Sequence, residues 1–177
     1  MRRIGSLAVV ALAAALGVCG VSRGQGAPPS GPGPEMKKLE FLLGKRTAKG
    51  KLFAPGQAPA EWTSTEQSEW GPGGNSIRAE AEIDYGGGLK DTSLTMMSYD
   101  AGEKLYKCYR FSSMEPTPIE ASGKFEGDKL VMMIKPDATG LLYRITFAPK
   151  SKTESVFLLE QKKGDSFEKF LEGVYTR

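Results

Sequence analysis

Residues 76–85 read SIRAEAEIDY, and this stretch decides the fold class. Apolar side chains alternate strictly with charged ones: Ile77, Ala79, Ala81, Ile83 and Tyr85 against Arg78, Glu80, Glu82 and Asp84. Because successive side chains of a strand point to opposite faces, the pattern predicts a strand with one buried and one solvated face. The three carboxylates share the solvated face, which favours an outer wall over an acid–base pair for glycoside hydrolysis.

Further runs of strand character occur on both sides of this stretch. They lie at about residues 45–53, 61–70, 92–99, 105–112, 118–126, 129–135, 141–148, 154–161 and 167–176. Short turn-forming segments separate them, and crossover helices are absent, so neighbouring strands should pair antiparallel. A long antiparallel meander removes its exposed edges by closing on itself. The sequence therefore predicts an all-β fold, an up-and-down antiparallel barrel of about ten strands.

One helix is expected before the first strand. Met36, Leu39, Leu42 and Leu43 recur at helical spacing, with a proline near the first turn and Gly44 as the stop. The pattern predicts a short N-terminal helix at about residues 35–43 that plugs or flanks one end of the barrel.

The first 24 residues have the features of a secretory signal peptide. Arg2 and Arg3 precede an apolar run from Leu7 to Val18, which is shorter than the roughly 20 residues that span a bilayer. Cleavage is expected between Gly20 and Ala27. Acylation of Cys19 is disfavoured, since lipoprotein signals normally place Gly, Ala or Ser where Val18 stands. We therefore predict a periplasmic or extracellular protein without a transmembrane segment after cleavage.

Three segments follow from these boundaries. Residues 1–24 form the signal peptide, residues 25–34 a Pro/Gly-rich linker, and residues 35–177 the barrel domain. The whole chain has 24 basic and 21 acidic residues, and three of its arginines lie in the leader, so the exported chain is formally neutral. A neutral domain does not favour nucleic acid as a partner. Cys108 remains as the single cysteine after cleavage, which excludes an intramolecular disulfide.

Three stretches of the chain together resemble one known family. They are MKKLEFLLG (36–44), YDAGEKLYKCYRFSSM (99–114) and EKFLEGVYTR (168–177). The chain is similar over residues 36–177 to the secreted bacterial family called domain of unknown function 1579. The resemblance implies export and a lipocalin-like barrel of the calycin type, and it implies no catalytic residues. One departure is Arg46, which stands where related barrels often have tryptophan.

The chain contains no histidine. Ser-His-Asp triads, Cys-His dyads, His-ligated zinc and the haem ligation of nitrobindin-like barrels all need an imidazole, so the sequence excludes these sites. Carboxylate spacing of the EF-hand kind is also missing. We therefore predict no catalytic residues, no metal and no cofactor.

The hairpin at residues 98–114 allows two orientations of its second strand. Tyr106, Cys108 and Arg110 share one face, and the residues between them share the other. We favour the first set inward, because the interior would then gain an arginine suited to a ligand carboxylate. Cys108 would be a buried structural thiol, since no histidine can act as its base.

Several residues are candidates for the lining of an interior ligand site. Methionines and aromatic or aliphatic residues recur at Met96, Met97, Met132, Met133, Leu142, Phe147, Phe157 and Leu159. They fit either a filled core or a cavity for one small ligand. Trp62 and Trp70 share a face of one strand and fit core packing or a ligand wall. Arg144 would need a carboxylate from the protein or a ligand if it points inward, whereas Arg177 is expected to close the barrel base near the helix.

These features lead to one functional prediction with two alternatives. We predict an exported, non-enzymatic barrel that binds a small apolar or amphipathic molecule inside. Its ligand-binding residues are predicted to be Trp62, Met96, Tyr106, Arg110, Met132 and Arg144. The alternatives are an enzyme that uses carboxylate, lysine or tyrosine chemistry at the barrel mouth, and an envelope interaction module that uses an outer face.

Overall fold

The computed structural model of the protein describes residues 31–136 and 139–177. The predicted signal peptide and most of the predicted linker lie outside the described residues. Within them, no helix is long and apolar enough to cross a membrane.

The described residues form ten strands after two short helical turns. The turns are an α-helical one, α1 (Pro34–Lys37), and a 3₁₀ turn (Glu40–Leu42). The strands are β1 (Gly44–Leu52), β2 (Ala60–Trp70), β3 (Ser76–Asp84), β4 (Lys90–Asp100), β5 (Leu105–Ser112), β6 (Ile119–Glu126), β7 (Lys129–Ile134), β8 (Tyr143–Pro149), β9 (Glu154–Lys163) and β10 (Ser166–Thr176). A further 3₁₀ turn, Pro72–Gly74, links β2 to β3.

Each strand pairs antiparallel with its sequence neighbours, and β1 also pairs with β10, which closes the barrel. The closing register runs from Thr47 opposite Thr176 to Leu52 opposite Leu171. The predicted all-β, up-and-down barrel with a short N-terminal helix is confirmed.

The N-terminal helix is shorter than the predicted span of 35–43. Its α-helical part ends at Lys37, and a 3₁₀ turn follows. Met36, Leu39 and Leu42 are buried in one core cluster. Met36 lies in the α-helical turn, whereas Leu39 and Leu42 flank and end the 3₁₀ turn, where a spacing of three residues matches 3.0 residues per turn and places both side chains on one face.

This helical segment closes one end of the barrel. The Tyr106 hydroxyl donates to the backbone oxygen of Glu35 at 2.9 Å, and the Ser68 hydroxyl donates to the Leu42 oxygen. Arg177 donates from Nη2 to the Glu40 oxygen at 2.7 Å, which confirms the prediction that this arginine closes the base. The loops at residues 53–59, 85–89 and 113–118 lie at the other end.

Strand β5 has the orientation that we favoured. Tyr106 and Cys108 are 2% and 7% exposed, whereas Tyr109 and Phe111 are 41% and 49% exposed. The turn before the strand is fixed by the Asp100 carboxylate, which accepts the backbone N–H groups of Gly102 and Glu103.

Trp62 packs against bare backbone on the inside of the barrel. Gly50 and Gly173 lie opposite each other in β1 and β10, and a Cβ atom on either glycine would overlap the indole. The indole Nε1 donates to the backbone oxygen of Glu172 at 3.0 Å. The two glycines therefore make room for the largest side chain of the barrel wall.

Replacing Gly173 by alanine should destabilise the protein. The new methyl group would push the Trp62 ring off the wall, and such overpacking costs about 1–3 kcal/mol. Chemical denaturation of Gly173→Ala would measure this loss. The control is Gly33→Ala, where nothing lies within 4 Å of the added atom and the change should stay within about 0.5 kcal/mol. Equal stability of the two variants would contradict the packing described here.

Candidate functional site

The barrel interior contains a cavity of about 180 Å³. Most of its wall is aliphatic and aromatic, with Ile83, Ile119, Ile145, Phe157, Leu159 and Leu171 among the lining residues. The sequence left a filled core and a cavity as alternatives, and the structure contains the cavity.

One ion pair lies inside the barrel on β1 and β2. Arg46 faces Glu66 across the two strands, and Nη2 of Arg46 donates to the Glu66 carboxylate. Arg46 is 5% exposed, and its Nη1 donates to the Ser155 hydroxyl at 3.3 Å. The guanidinium carbon lies 4.7 Å from the centre of the Tyr175 ring. Arg46 is thus held by an ion pair together with an aromatic ring.

A second ion pair joins β5 to the start of β4. Arg110 lines the cavity and donates from Nη2 to Asp91, which is 2% exposed. Asp91 also accepts the Ser112 hydroxyl at 2.8 Å and the Ser113 hydroxyl at 2.9 Å. Burial acts to raise the pKa of Asp91, but these hydroxyl donors and the charge of Arg110 outweigh it and hold the pKa below its ordinary value. Asp91 is therefore ionised at neutral pH.

Two tyrosines, Tyr85 and Tyr175, also belong to the polar part of the cavity wall. Burial raises the pKa of Tyr85, with the Arg110 charge opposing it. Burial also raises the pKa of Tyr175, together with the nearby Glu66 charge. Both phenols are therefore neutral at physiological pH and present hydroxyl groups and rings, not charges, to the interior.

Of the six predicted ligand-binding residues, Trp62 and Arg110 line the cavity. Tyr106 and Met132 point inward but pack in the core cluster beneath the helical segment, away from the cavity wall. Tyr106 and Met132 do not line the cavity, so the structure does not support their predicted contact with a ligand there.

The inward placement of Met96 and Arg144 was wrong. Met96 pairs with the exposed Tyr109, on the face opposite Met97. Arg144 lies on the face opposite Ile145 and pairs with the exposed Met133 of β7 and with Glu160 of β9. Its guanidinium binds Glu160 at 2.8 Å and lies 4.2 Å from the Phe167 ring centre. An outer carboxylate and ring satisfy this arginine, so it does not need an interior partner.

Sequence reasoning missed several cavity residues. Glu66 falls on the same strand face as Trp62 and Trp70, and this parity could have marked it as inward. Asp91 shares the inward face of β4 with Met97, six positions further along the strand. The pairing of each carboxylate with its arginine depends on strand register, which a single sequence does not specify.

The carboxylates of β3 lie on the face that the sequence predicted. Glu80, Glu82 and Asp84 lie on the outer face of β3, as expected. Among residues 31–136 and 139–177, no group of three or more acidic or cysteine side chains is placed to hold a metal ion.

Comparisons with known proteins show the fold. The crystal structure of Rv2717c from M. tuberculosis superposes with a TM-score of 0.57 at 14% identity, covering 82% of this chain and 98% of that one. The S-type phycobiliprotein lyase CPES from Guillardia theta superposes with a TM-score of 0.52 at 13% identity, covering 82% and 96%. No protein-family model and no curated protein matches the chain. These likenesses define a barrel class and carry no activity to this protein.

Cys108 should resist thiol reagents in the folded protein. It is buried, and burial raises the pKa of the thiol to about 12, so little thiolate forms at pH 8. We expect a bulky maleimide to label Cys108 at least about a hundredfold more slowly in native protein than in guanidinium, as followed by peptide mass mapping. Rapid native labelling would mean that the thiol reaches solvent and that β5 has the opposite orientation.

Proposed function

We propose that the protein is an exported, non-enzymatic barrel that binds one small, largely apolar molecule in its interior. The observation that carries this proposal is the cavity of about 180 Å³ with its mainly aliphatic and aromatic wall. Ligand sites are commonly concave and apolar, with a few polar groups that orient the ligand. In this cavity, Trp62 supplies a flat apolar surface, and Arg46 and Arg110 supply hydrogen-bond donors.

Two further arguments support the proposal. The signal-like leader and the resemblance to the secreted family 1579 support export. Asp91 argues against the alternative of carboxylate catalysis at the barrel mouth. A general acid needs a raised pKa, whereas the pKa of this carboxyl is lowered. The fold alone does not decide function, since one barrel architecture serves many.

Filling the cavity should abolish ligand retention. Ala81 lines the cavity, and the next residue, Glu82, lies exposed on the outer face of the same strand. Ala81→Leu should lower the amount of co-purified small molecule at least about tenfold, because the added methylene groups occupy its space. Glu82→Leu adds the same side chain outside and should retain the wild-type amount. Native mass spectrometry of protein from its own host measures both, and equal loading of the two variants would place any bound molecule elsewhere.

The same spectra test export through the mass of the polypeptide. Signal cleavage should leave an N-terminus between residues 21 and 27. An intact leader on protein isolated from the host would contradict export. Wild-type protein with no bound molecule in repeated preparations would contradict ligand binding.

A further inference from the structure

The cavity wall differs between two opposite sides of the barrel. In the closed order of strands, β4 and β9 lie five strands apart in either direction. Strand β9 presents Phe157 and Leu159 to the cavity, whereas β4 presents the hydroxyl groups of Ser93 and Thr95 beside Met97. The interior is therefore apolar on the β9 side and lined by hydroxyl groups on the β4 side.

Small neighbours on β3 leave the two hydroxyl groups of β4 uncovered. Ser93 pairs with Ala81, Thr95 pairs with Ala79, and all four residues line the cavity. An alanine side chain has no polar atom that could bind a neighbouring hydroxyl and is too short to cover it. A molecule in the cavity can therefore lie directly against both hydroxyl groups.

Both hydroxyl groups of β4 lack a hydrogen-bond partner in the part of the chain that the structure describes, and so does the hydroxyl of Tyr175 in the cavity wall. Their neighbours on β5, Ser112 and Arg110, bind Asp91 instead. Among the described residues, the fully buried side-chain nitrogen or oxygen without a partner is Nε of Arg46, so the three hydroxyl oxygens keep access to the cavity. A hydroxyl both donates and accepts, so a ligand group that does the same would match them.

The charged groups at the cavity are already paired within the protein. Arg46 is paired with Glu66, and Arg110 is paired with Asp91. Both carboxylates are largely buried, with side-chain exposures of 14% for Glu66 and 2% for Asp91. A ligand carboxylate would add a net charge to this balanced interior, and a buried uncompensated charge is costly. Asp91 thus supplies the carboxylate that the sequence led us to expect from a ligand at Arg110.

We infer that the cavity takes a neutral molecule of about single-ring size that carries a hydroxyl group, with this group against Ser93 and Thr95 and its apolar side against Phe157 and Leu159. The size follows from the volume, since a cavity of about 150 Å³ admits benzene and this one measures about 180 Å³. This inference rests on the proposed function, and it adds the chemical class and the orientation of the ligand.

Three probes built on one benzene ring separate the possibilities. Ethylbenzene and benzyl alcohol have the same number of non-hydrogen atoms and differ by a hydroxyl group, whereas benzoate carries a charge. The Kd of each for the full-length protein is measured by NMR titration, with the methyl signal of the cavity residue Met97 as the reporter. Benzyl alcohol should bind at least as tightly as ethylbenzene, because the hydroxyl groups of β4 replace the water that its own hydroxyl loses. Benzoate should bind at least about tenfold weaker than benzyl alcohol.

A double variant tests the two hydroxyl groups of β4. Ser93→Ala with Thr95→Val removes both and keeps nearly the same side-chain shapes. The ratio of the ethylbenzene Kd to the benzyl alcohol Kd should fall about tenfold, because the ligand hydroxyl then lies against a wall without partners. The matched control, Thr92→Val, removes a hydroxyl from the exposed outer face of the same strand and should leave the ratio within about twofold of the wild-type value.

The outcomes separate this inference from the proposed function. Weaker binding of benzyl alcohol than of ethylbenzene by wild-type protein would overturn the hydroxyl class and leave ligand binding standing. An unchanged ratio in the double variant would overturn the placement of the ligand hydroxyl on β4. Benzoate that binds as tightly as benzyl alcohol would overturn the neutral class, and failure of all three probes would count against both proposals. The wild-type comparison decides the question even if the double variant does not fold.

Discussion

The hydrogen-bonded pairing of β1 with β10 is the constraint on which the rest of the structure depends. Six residue pairs from Thr47–Thr176 to Leu52–Leu171 close the sheet. Once it is closed, no strand edge is left to pair with another chain, and each side chain points either into the barrel or out of it. The glycine pair Gly50–Gly173 lies within this β1–β10 pairing, and β10 has a register shift between Lys169 and Leu171 where it pairs with β9. The pairing of β1 with β10 therefore closes the barrel and also provides the space that Trp62 occupies.

Closure also explains why polar groups inside the barrel occur in complementary sets. An arginine that points inward loses much of its contact with water, so it requires an anion or an acceptor from another strand; the Arg46 side chain is 5% exposed and that of Arg110 is 26% exposed. Arg46 and Arg110 each obtain a carboxylate in this way, and Arg46 adds a hydroxyl and an aromatic ring. The outer Arg144 obtains a carboxylate and a ring as well, but in a setting where solvent also reaches it. The interior is thus polar in part of its wall and uncharged as a whole.

The sequence predicted most of the fold and only part of the site. The fold depends on patterns within single strands, whereas the site depends on contacts between strands. Alternation is a property of one strand at a time, so it located the strands and grouped Tyr106, Cys108 and Arg110 on one face, but it did not decide which face of β5 points inward. Met96 was misplaced because it and Met97 are equally apolar, and only the pairing with Tyr109 shows that Met96 lies outside. The partners Glu66 and Asp91 depend on contacts between different strands, which propensity and spacing do not encode. The sequence marked Arg46 as a departure from the pattern of the family that the chain resembles. Its partners, Glu66 and Ser155, lie on other strands and are visible only in the structure.

The two tryptophans divide the interior in a way that has an optical consequence. Trp62 belongs to the cluster around the cavity, whereas Trp70 packs against the cluster beneath the helical segment. Eight residues of β2 separate them, a distance of roughly 27 Å along an extended strand. Each of the two clusters therefore contains one tryptophan, and single replacements by phenylalanine would assign the tryptophan emission to one cluster at a time. Events at the cavity and events at the capped end can then be followed separately without an added dye.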